Sequence, residues 1–553
     1  MNIFLKDVKN DKTYEIKKGS YFLDIAKIYE SESGKKVYGI KYNNSIKELF
    51  KKVDEDGEIE FLDLSTLDGV RIYQRGLLFV LYMAVKKLDI TDQININHSV
   101  GNGLYCELKN SVPDENYLDK IKTEMTKIIS SDLKFSKENM DKFDAIDLFN
   151  SNNLEDKSLL LKYRKKSTIN IYRVDGFFNY MYGYMPLSTS YVDKFDLKKI
   201  DEGFMLIHPN ENSPEIVPEF KHLNKLSQTF KEYKEWLKIM EIKTVGELNE
   251  LIAQGKSNVI ELIRVVEALH EKKYAMIADE IIKEKNKRLI LLAGPSSSGK
   301  TTSAKRIALQ LKVNGLKPFP VSLDDYFVER ERTPKDEFGK PDFESINALD
   351  IDLFNQNLKD LLEEKETELP KFDFVQGKKV WTGKKVKLEK DQPVIIEGIH
   401  GLNEQLTEKI PREQKFKIYV SALTQMNLDS HNRIPTTDTR LIRRIVRDYN
   451  FRGHSALGTL KMWPSVRRGE ENNIFPFQED ADIMFNSFLA YELAVLKIYA
   501  EPLLLQITNK EKEFTEAKRL LRFLDYFLPI TELEEIPRKS VIREFIGKST
   551  FEY

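Results

Sequence analysis

The sequence predicts an α/β chain whose C-terminal part is a parallel sheet wrapped by helices, preceded by a β-grasp module and a mixed α+β module. Three observations predict it. From residue 288, four short apolar runs, RLILLAG, KPFPVSL, PVIIEG and FKIYVSA, alternate with stretches of helical spacing, which is the pattern of βαβ units. A glycine-punctuated GPSSSGKTT lies between the first run and a helical stretch. The chain also has 553 residues, and at about 100–200 residues per domain it divides into three or four units.

Residues 1–62 read as strand (NIFLKD), strand (KTYEIKKG), helix (YFLDIAKIYES) and strand (EIEFLDL), the order of a β-grasp module. Residues 63–208 combine a helix at GLLFVLYMAVKKL, a hairpin at NHSVGNGLYCELKN and an amphipathic helix at ENYLDKIKTEMTKIISSD. Strands and turns follow across STINIYRVDGFFNYMYGYMPLST. PNENSPEIVP, residues 209–218, has no period and reads as a linker. The helical stretch that follows, up to residue 287, reads as a connector or packing surface without chemistry. The last unit runs from 288 to 553.

Composition narrows the function classes. The formal net charge is -1, so no whole-chain field draws the protein to nucleic acid. The single cysteine, Cys106, cannot form an internal disulfide. The first residues lack the apolar core of a signal peptide. The longest apolar run, GLLFVLYMAV, has ten residues, against about 20 for a bilayer span. A cytoplasmic protein without membrane contact is expected.

Strand, glycine loop and helix in that order are the context of a phosphate-binding P-loop. Gly294 and Gly299 permit tight backbone turns, and the amides of Pro295–Thr302 (Pro295 aside), with Ser296, Ser297 and Ser298 among them, point at an anion at the helix N-terminus. Lys300 is placed to reach the β- and γ-phosphates of ATP, Thr301 to ligate Mg²⁺, and Thr302 to meet the α-phosphate. Glu397 ends the PVIIEG strand, where a buried acid is costly unless it is paired or works; a metal-associated carboxylate is the reading taken. Asp324 and Asp325 end the strand after the loop helix, and ligands gather at such strand ends. Asp324 is the candidate general base toward a hydroxyl. TDTRLIRRIVRDYNFRG places Arg440, Arg443, Arg444 and Arg447 on one helical face, suited to a transferring phosphoryl group; a helix paired to Asp438 and Asp448 is the alternative. WPSVRRGEENNIFPF adds Arg467 and Arg468 in a loop-rich stretch read as a lid or a substrate loop.

The set GPSSSGKTT, SLDDYF, PKFDFV, VIIEGIHGLN and TDTRLIRRIVRD, in this order, resembles the uridine kinase and phosphoribulokinase family of P-loop kinases over about residues 288–500. The resemblance implies ATP and Mg²⁺ as cofactors and a small nucleoside acceptor phosphorylated at its 5′-hydroxyl. It implies Asp324, Lys300, Arg440 and Arg443 as catalytic groups, and Thr301 and Glu397 at the metal. Asp325, Tyr326, Glu344, Phe372 and Arg444 fall on the substrate side. The match has departures. Phe372 and Gly377 stand where uridine kinases usually carry Tyr and His that read the pyrimidine, and Glu344 replaces the more usual Asp. Many relatives are oligomers, so self-association is an expectation.

The front half carries a second resemblance. Residues 1–62 resemble a TGS domain, and VGNGLYCEL with YRVDGFFNYMYGYMPLSTSYVDKFDLKKI resembles the editing domain of threonyl-tRNA synthetases. The editing His pair falls at about Tyr73 and Gly76 to Leu77, and the Cys and His positions hold Met181 and Met185. Met transfers no protons, so editing chemistry is not expected. Two readings of this aromatic, Met-rich stretch stay open: core packing, and contact with RNA or a small ligand through residues 1–208. His98 and His208 are isolated and read as structural. Two other readings stay open: a kinase for another small hydroxyl substrate, and an RNA-binding regulatory ATPase.

Overall fold

A computed structural model describes residues 1–335, 339, 341–373 and 376–552. Phe374 and Val375 of PKFDFV lie outside the described residues. The first unit comprises β1 (Asn2–Asp7), β2 (Lys12–Lys17), α1 (Phe22–Ser33), β3 (Gly39–Tyr42), β4 (Ser45–Lys47) and β5 (Gly57–Leu62). They form one sheet of order β2-β1-β5-β3-β4. β1 and β5 run parallel while the hairpins are antiparallel, a β-grasp arrangement. The β3–β4 hairpin is absent from the sequence reading. Its turn is Asn43-Asn44 at φ 45° and 57°, a tight left-handed pair that Asn tolerates without the usual Gly signal.

The second unit holds α2 (Leu67–Leu88), β6 (Ile94–Val100), β7 (Gly103–Leu108), α3 (Glu115–Ser130), β8 (Ser136–Asp141), α4 (Lys142–Asn150), α5 (Glu155–Lys162), β9 (Thr168–Val174), β10 (Phe177–Asn179), β11 (Asp196–Ile200) and β12 (Gly203–Ile207). Two sheets result, β11-β12-β7-β6 and β10-β9-β8. Tyr73, Leu77, Met181 and Met185 share one apolar cluster with Leu62 and Val37 of the first unit. Tyr73, Leu77 and Met185, at positions matched to editing groups, are thus spent on packing, while Met181 packs there and also lines a neighbouring cavity. His98 stacks on Phe230 with ring centroids 3.8 Å apart, and burial pushes it down to about 3. His208 meets the Pro209 carbonyl through Nδ1 at 2.6 Å, and Cys106 is buried in β7.

Next come α6 (Asn224–Ile239), α7 (Val245–Gln254) and α8 (Lys256–Lys283). Of the two readings of this stretch, connector or packing surface, α8 takes the second: it packs Tyr274, Ile277, Ala278 and Ile281 beneath Ile290 and Leu292 of the next sheet, burying one of its faces. That sheet belongs to β13 (Leu289–Ala293), α9 (Lys300–Val313), β14 (Phe319–Ser322), α10 (Ile351–Leu362), the short strands β15 (Thr367–Glu368), β16 (Lys371–Asp373), β17 (Lys378–Val380) and β18 (Lys385–Val386), then β19 (Val394–Glu397), β20 (Lys415–Ser421), α11 (Thr436–Arg452), α12 (Ala456–Asn473), β21 (Ile483–Asn486), α13 (Glu492–Leu504), α14 (Phe514–Leu524) and α15 (Arg543–Ile546). The order β14-β19-β13-β20-β21 is parallel throughout. β13 and β20 are buried at every residue, as sheets covered on both faces require.

The stretch 463–477, read as a loop, is mostly α12. The helix runs on through Pro464 and Gly469. The front half and the kinase-like part also interlock. The connection from β20 to α11 plugs into the second unit: the Ile96 amide donates to the Ser430 carbonyl at 2.7 Å, and the Ser430 amide donates to Asp156 Oδ2 at 2.6 Å. Lys157 meets Asp429 at 2.9 Å, both side chains fully buried.

Candidate active site

The loops leaving β13, β14 and β19 open at one edge of the parallel sheet, the edge where such folds place ligands. Loop 294–299 leaves β13. A β-carbon on Gly294 would stand 1.9 Å from the Val420 carbonyl oxygen, so only glycine lets the chain turn there. Pro295, Ser297, Ser298 and Gly299 are buried. The loop is braced from behind. Arg443 Nη1 donates to the Ser297 carbonyl at 3.3 Å, Arg440 Nη1 to the Ser296 carbonyl at 3.4 Å, and Arg444 Nη1 to Ser296 Oγ at 2.7 Å. The Ser296 amide donates to Glu470 at 3.0 Å.

Ahead of the loop, α9 presents Lys300, Thr301 and Thr302. Lys300 Nζ donates to the Pro295 carbonyl at 3.2 Å. Burial pulls its pKa down, and the facing Glu397 and Glu544 pull it back up. Thr301 Oγ1 donates to Glu397 Oε1 at 3.0 Å. Glu397 sits in register with Ser322 of β14 and Leu292 of β13; burial raises its pKa, Lys300 opposes, and Asp324 adds to the rise. Asp324 follows β14 in a short 3₁₀ turn (Leu323–Tyr326). It is open to water but crowded by protein on the cleft floor. This desolvation raises its pKa against the pull of Lys300 and Arg452. Glu344 faces Arg444, and its pKa is also raised by burial.

Four sequence-predicted residues are placed differently. Arg440 and Arg443 do not face the cleft as free cations. Arg440 is closed off by a two-pronged contact with Glu470, and Arg443 by one with Glu492, all of them buried. Their place is behind the loop because their carboxylate partners sit on α12 and α13. Tyr326 is 1 % exposed, packed edge-on against Phe354 with Asn357 donating to its hydroxyl, so it is core. Asp325 Oδ1 accepts the Phe372 amide at 3.2 Å and anchors the β16–β17 hairpin. Phe372 lies edge-on to Phe327. Gly377 turns at φ 67°, and a β-carbon there would meet Arg330 at 2.9 Å, so the histidine of the resembling motif has no room at this position.

Sequence reasoning missed three groups. Arg452 stands across from Asp324, held with Arg444 and Arg447 by the fully buried Asp448. Ser487 Oγ accepts from Arg443 at 3.1 Å and donates to the Ser298 carbonyl. Glu544 of α15 accepts from Thr302 Oγ1 at 2.6 Å and from its amide at 3.3 Å. The (i,i+4) spacing of Arg444, Asp448 and Arg452 was readable; Ser487 and Glu544 lie 189 and 242 residues from their partners and left no local signal.

The donor set fits an anion. A carboxylate already takes the two Thr302 donors, and the buried hydroxyls of Ser297 and Ser298 have no partner among the described residues. Thr301 and Glu397 offer two oxygens, the number a protein commonly gives Mg²⁺ when phosphates complete its shell.

The comparisons agree with this architecture. The profile of the Phosphoribulokinase / Uridine kinase family matches residues 289–493. A uridine kinase of Ligilactobacillus salivarius is 30% identical over 219 residues, covering 38% of this chain and 93% of that protein. One from Bacillus subtilis is 28% identical over 219 residues, covering 39% and 94%. A threonine–tRNA ligase of Natranaerobius thermophilus is 32% identical over 144 residues, covering 26% of this chain and only 22% of the ligase. With nearly the whole length of a 30%-identical uridine kinase aligned to it, and the sheet, loop and strand-end acids in place, the chain belongs to the phosphoribulokinase / uridine kinase family of phosphotransferases.

Proposed function

We propose that the protein transfers the γ-phosphoryl group of ATP to the 5′-hydroxyl of a nucleoside of the uridine or cytidine kind. The observation that carries it is the Thr301–Glu397 hydrogen bond beside Lys300 and Asp324 at one sheet edge. Magnesium, when bound at Thr301 and Glu397, supplies charge neutralisation for the phosphates. The loop amides and Lys300 hold the β- and γ-phosphates. Asp324 accepts the hydroxyl proton as the substrate oxygen bonds to the γ-phosphorus and the bond to the bridging oxygen breaks, releasing ADP. Arg444 and Arg452, rather than Arg440 and Arg443, are the cations of the cleft. Glu344 is assigned to the acceptor, and the work is cytoplasmic.

The Lys300→Ala chain is expected to lose about 10²–10³-fold in kcat with its melting temperature unchanged, the scale of removing one preorganised donor. Near-normal turnover would remove the loop from the mechanism. Glu544 stands where the α-phosphate is expected, so it must yield to ATP. Glu544→Gln is expected to lower the KM for ATP about fivefold, the equivalent of roughly 1 kcal/mol of charge repulsion; an unchanged KM would leave Glu544 as a mere helix cap.

A second reading, a different small hydroxyl acceptor on the same scaffold, is favoured by one observation. The Phe372 ring and the crowded Gly377 offer the acceptor no hydrogen bond from their side chains, which weakens discrimination for a pyrimidine.

A further inference from the structure

We propose that a cavity between the front half and α14 binds a phosphorylated small molecule of mononucleotide size. The cavity, about 180 Å³, is walled by α2, β9, the turn at residues 180–184 and α14. Eight of its lining side chains are basic and one, Asp68, is acidic. No residue of the phosphate loop lines it, so it is separate from the kinase cleft.

Part of this charge is answered locally. Glu516 pairs with Arg71 and Arg519, Glu48 with Lys137, and Asp525 with Arg164. Among the described residues, Arg75, Lys166, Lys518 and Arg522 have no carboxylate at ion-pair distance. Arg75 is seated with care. Its guanidinium lies against Gly183, where a β-carbon would stand 2.3 Å from Cζ, and Nη1 donates to the Tyr184 carbonyl at 2.9 Å. Arg522 Nη1 donates to the Tyr184 hydroxyl at 3.0 Å, which aims both guanidinium groups at one turn.

Gathering four such cations in a half-enclosed space is unfavourable in itself. Burial and the nearby Arg71 push Arg75 down to about 10. Lys166 and Lys518 are pushed down by burial and by neighbouring cations, Arg522 among them. An anion entering the cavity relieves this repulsion. Paired guanidinium forks and ammonium groups match the oxygens of a phosphate. Tyr172, Tyr182 and Tyr184 also line the space and offer ring surface for the organic part of the ligand. A few convergent polar groups on an otherwise aromatic wall are what small-molecule sites share. The volume suits a mononucleotide and excludes a folded nucleic acid; only a chain end could enter.

The test is calorimetric titration of the full chain with UMP, with ribose 5-phosphate and with a short single-stranded RNA lacking a terminal phosphate. UMP or ribose 5-phosphate is expected to bind, and the double variant Lys166→Gln/Lys518→Gln to weaken that binding by about tenfold, roughly 1.4 kcal/mol. Neither lysine holds an ion pair, so this variant keeps its melting temperature; Arg522→Gln gives the same loss from the opposite wall. The change Glu344→Gln in the kinase cleft leaves the cavity's affinity unaltered. Affinity unchanged in the lysine variant, affinity lost only in Glu344→Gln, or binding of the RNA without binding of either phosphate probe would each overturn the proposal.

Discussion

Asp324→Asn is expected to lower kcat by about 10²–10⁴-fold, the range of a positioned general base, while ATP binding is retained. Asn keeps the shape and the short turn after β14 but cannot take the proton. The pH dependence carries a sign. Desolvation by the surrounding protein raises the Asp324 pKa against the pull of Lys300, and only the ionised form is a base. Activity in the native chain should therefore rise with pH through a value above the ordinary aspartate range, and this acidic limb should vanish in the Asn variant. The stability trend runs the other way. Because the folded pKa is raised, the folded state holds this proton more tightly than the unfolded state, and stability is lost as pH climbs from the unfolded value through the folded one. Asp324→Asn should thus melt at the same temperature or higher at neutral pH, with no gain below about pH 3.9. Pre-steady-state turnover with thermal melts across pH checks both; a kcat within a fewfold of the native value removes Asp324 from proton transfer.

The second large effect concerns stability. Asp429→Ala is expected to cost about 3–5 kcal/mol, because it removes the ion-pair partner of the fully buried Lys157 ammonium. Lys157→Met should cost less. Asp429 would keep the amides of His431 and Asn432 and the Asn432 side chain as donors, and Met fills much of the lysine volume. Denaturant midpoints of the two variants decide it. Equal and small losses would mean that the interlock between the front half and the β20–α11 connection contributes little. The same connection leads into α11, whose Arg440, Arg443 and Arg444 brace the phosphate loop, and Asp438 of α11 pairs with Arg519 of the cavity wall.

How far the sequence revealed this site follows from the range of the signals. The loop, Lys300, Thr301, Glu397 and Asp324 are each tied to a strand end or helix start within a few residues, so the local pattern sufficed to bring them together. The arginine row was legible as a helical face, but its direction was not. Glu470 and Glu492, which turn Arg440 and Arg443 inward, lie 30 and 49 residues away on α12 and α13. Tyr326 was misread because it follows two acids in the cleft; the 3₁₀ turn swings it beneath the sheet instead. The loop-rich reading of 463–477 failed because α12 runs on through Pro464 and Gly469, where tertiary packing overrides local propensity. α8 looked inert because its partner face, the underside of β13, is also plain apolar sequence. The basic cavity draws its walls from segments more than three hundred residues apart, such as Tyr184 and Arg522, and no local window could contain it.

The most direct measurement of the central claim is ADP formation from Mg-ATP with a panel of nucleosides, small hydroxyl compounds and no acceptor, with the phosphorylated product identified by mass. The account predicts ADP release that depends on a pyrimidine nucleoside, yields its 5′-monophosphate and disappears in Lys300→Ala. ADP release that is independent of any acceptor, or that survives in Lys300→Ala, would contradict it.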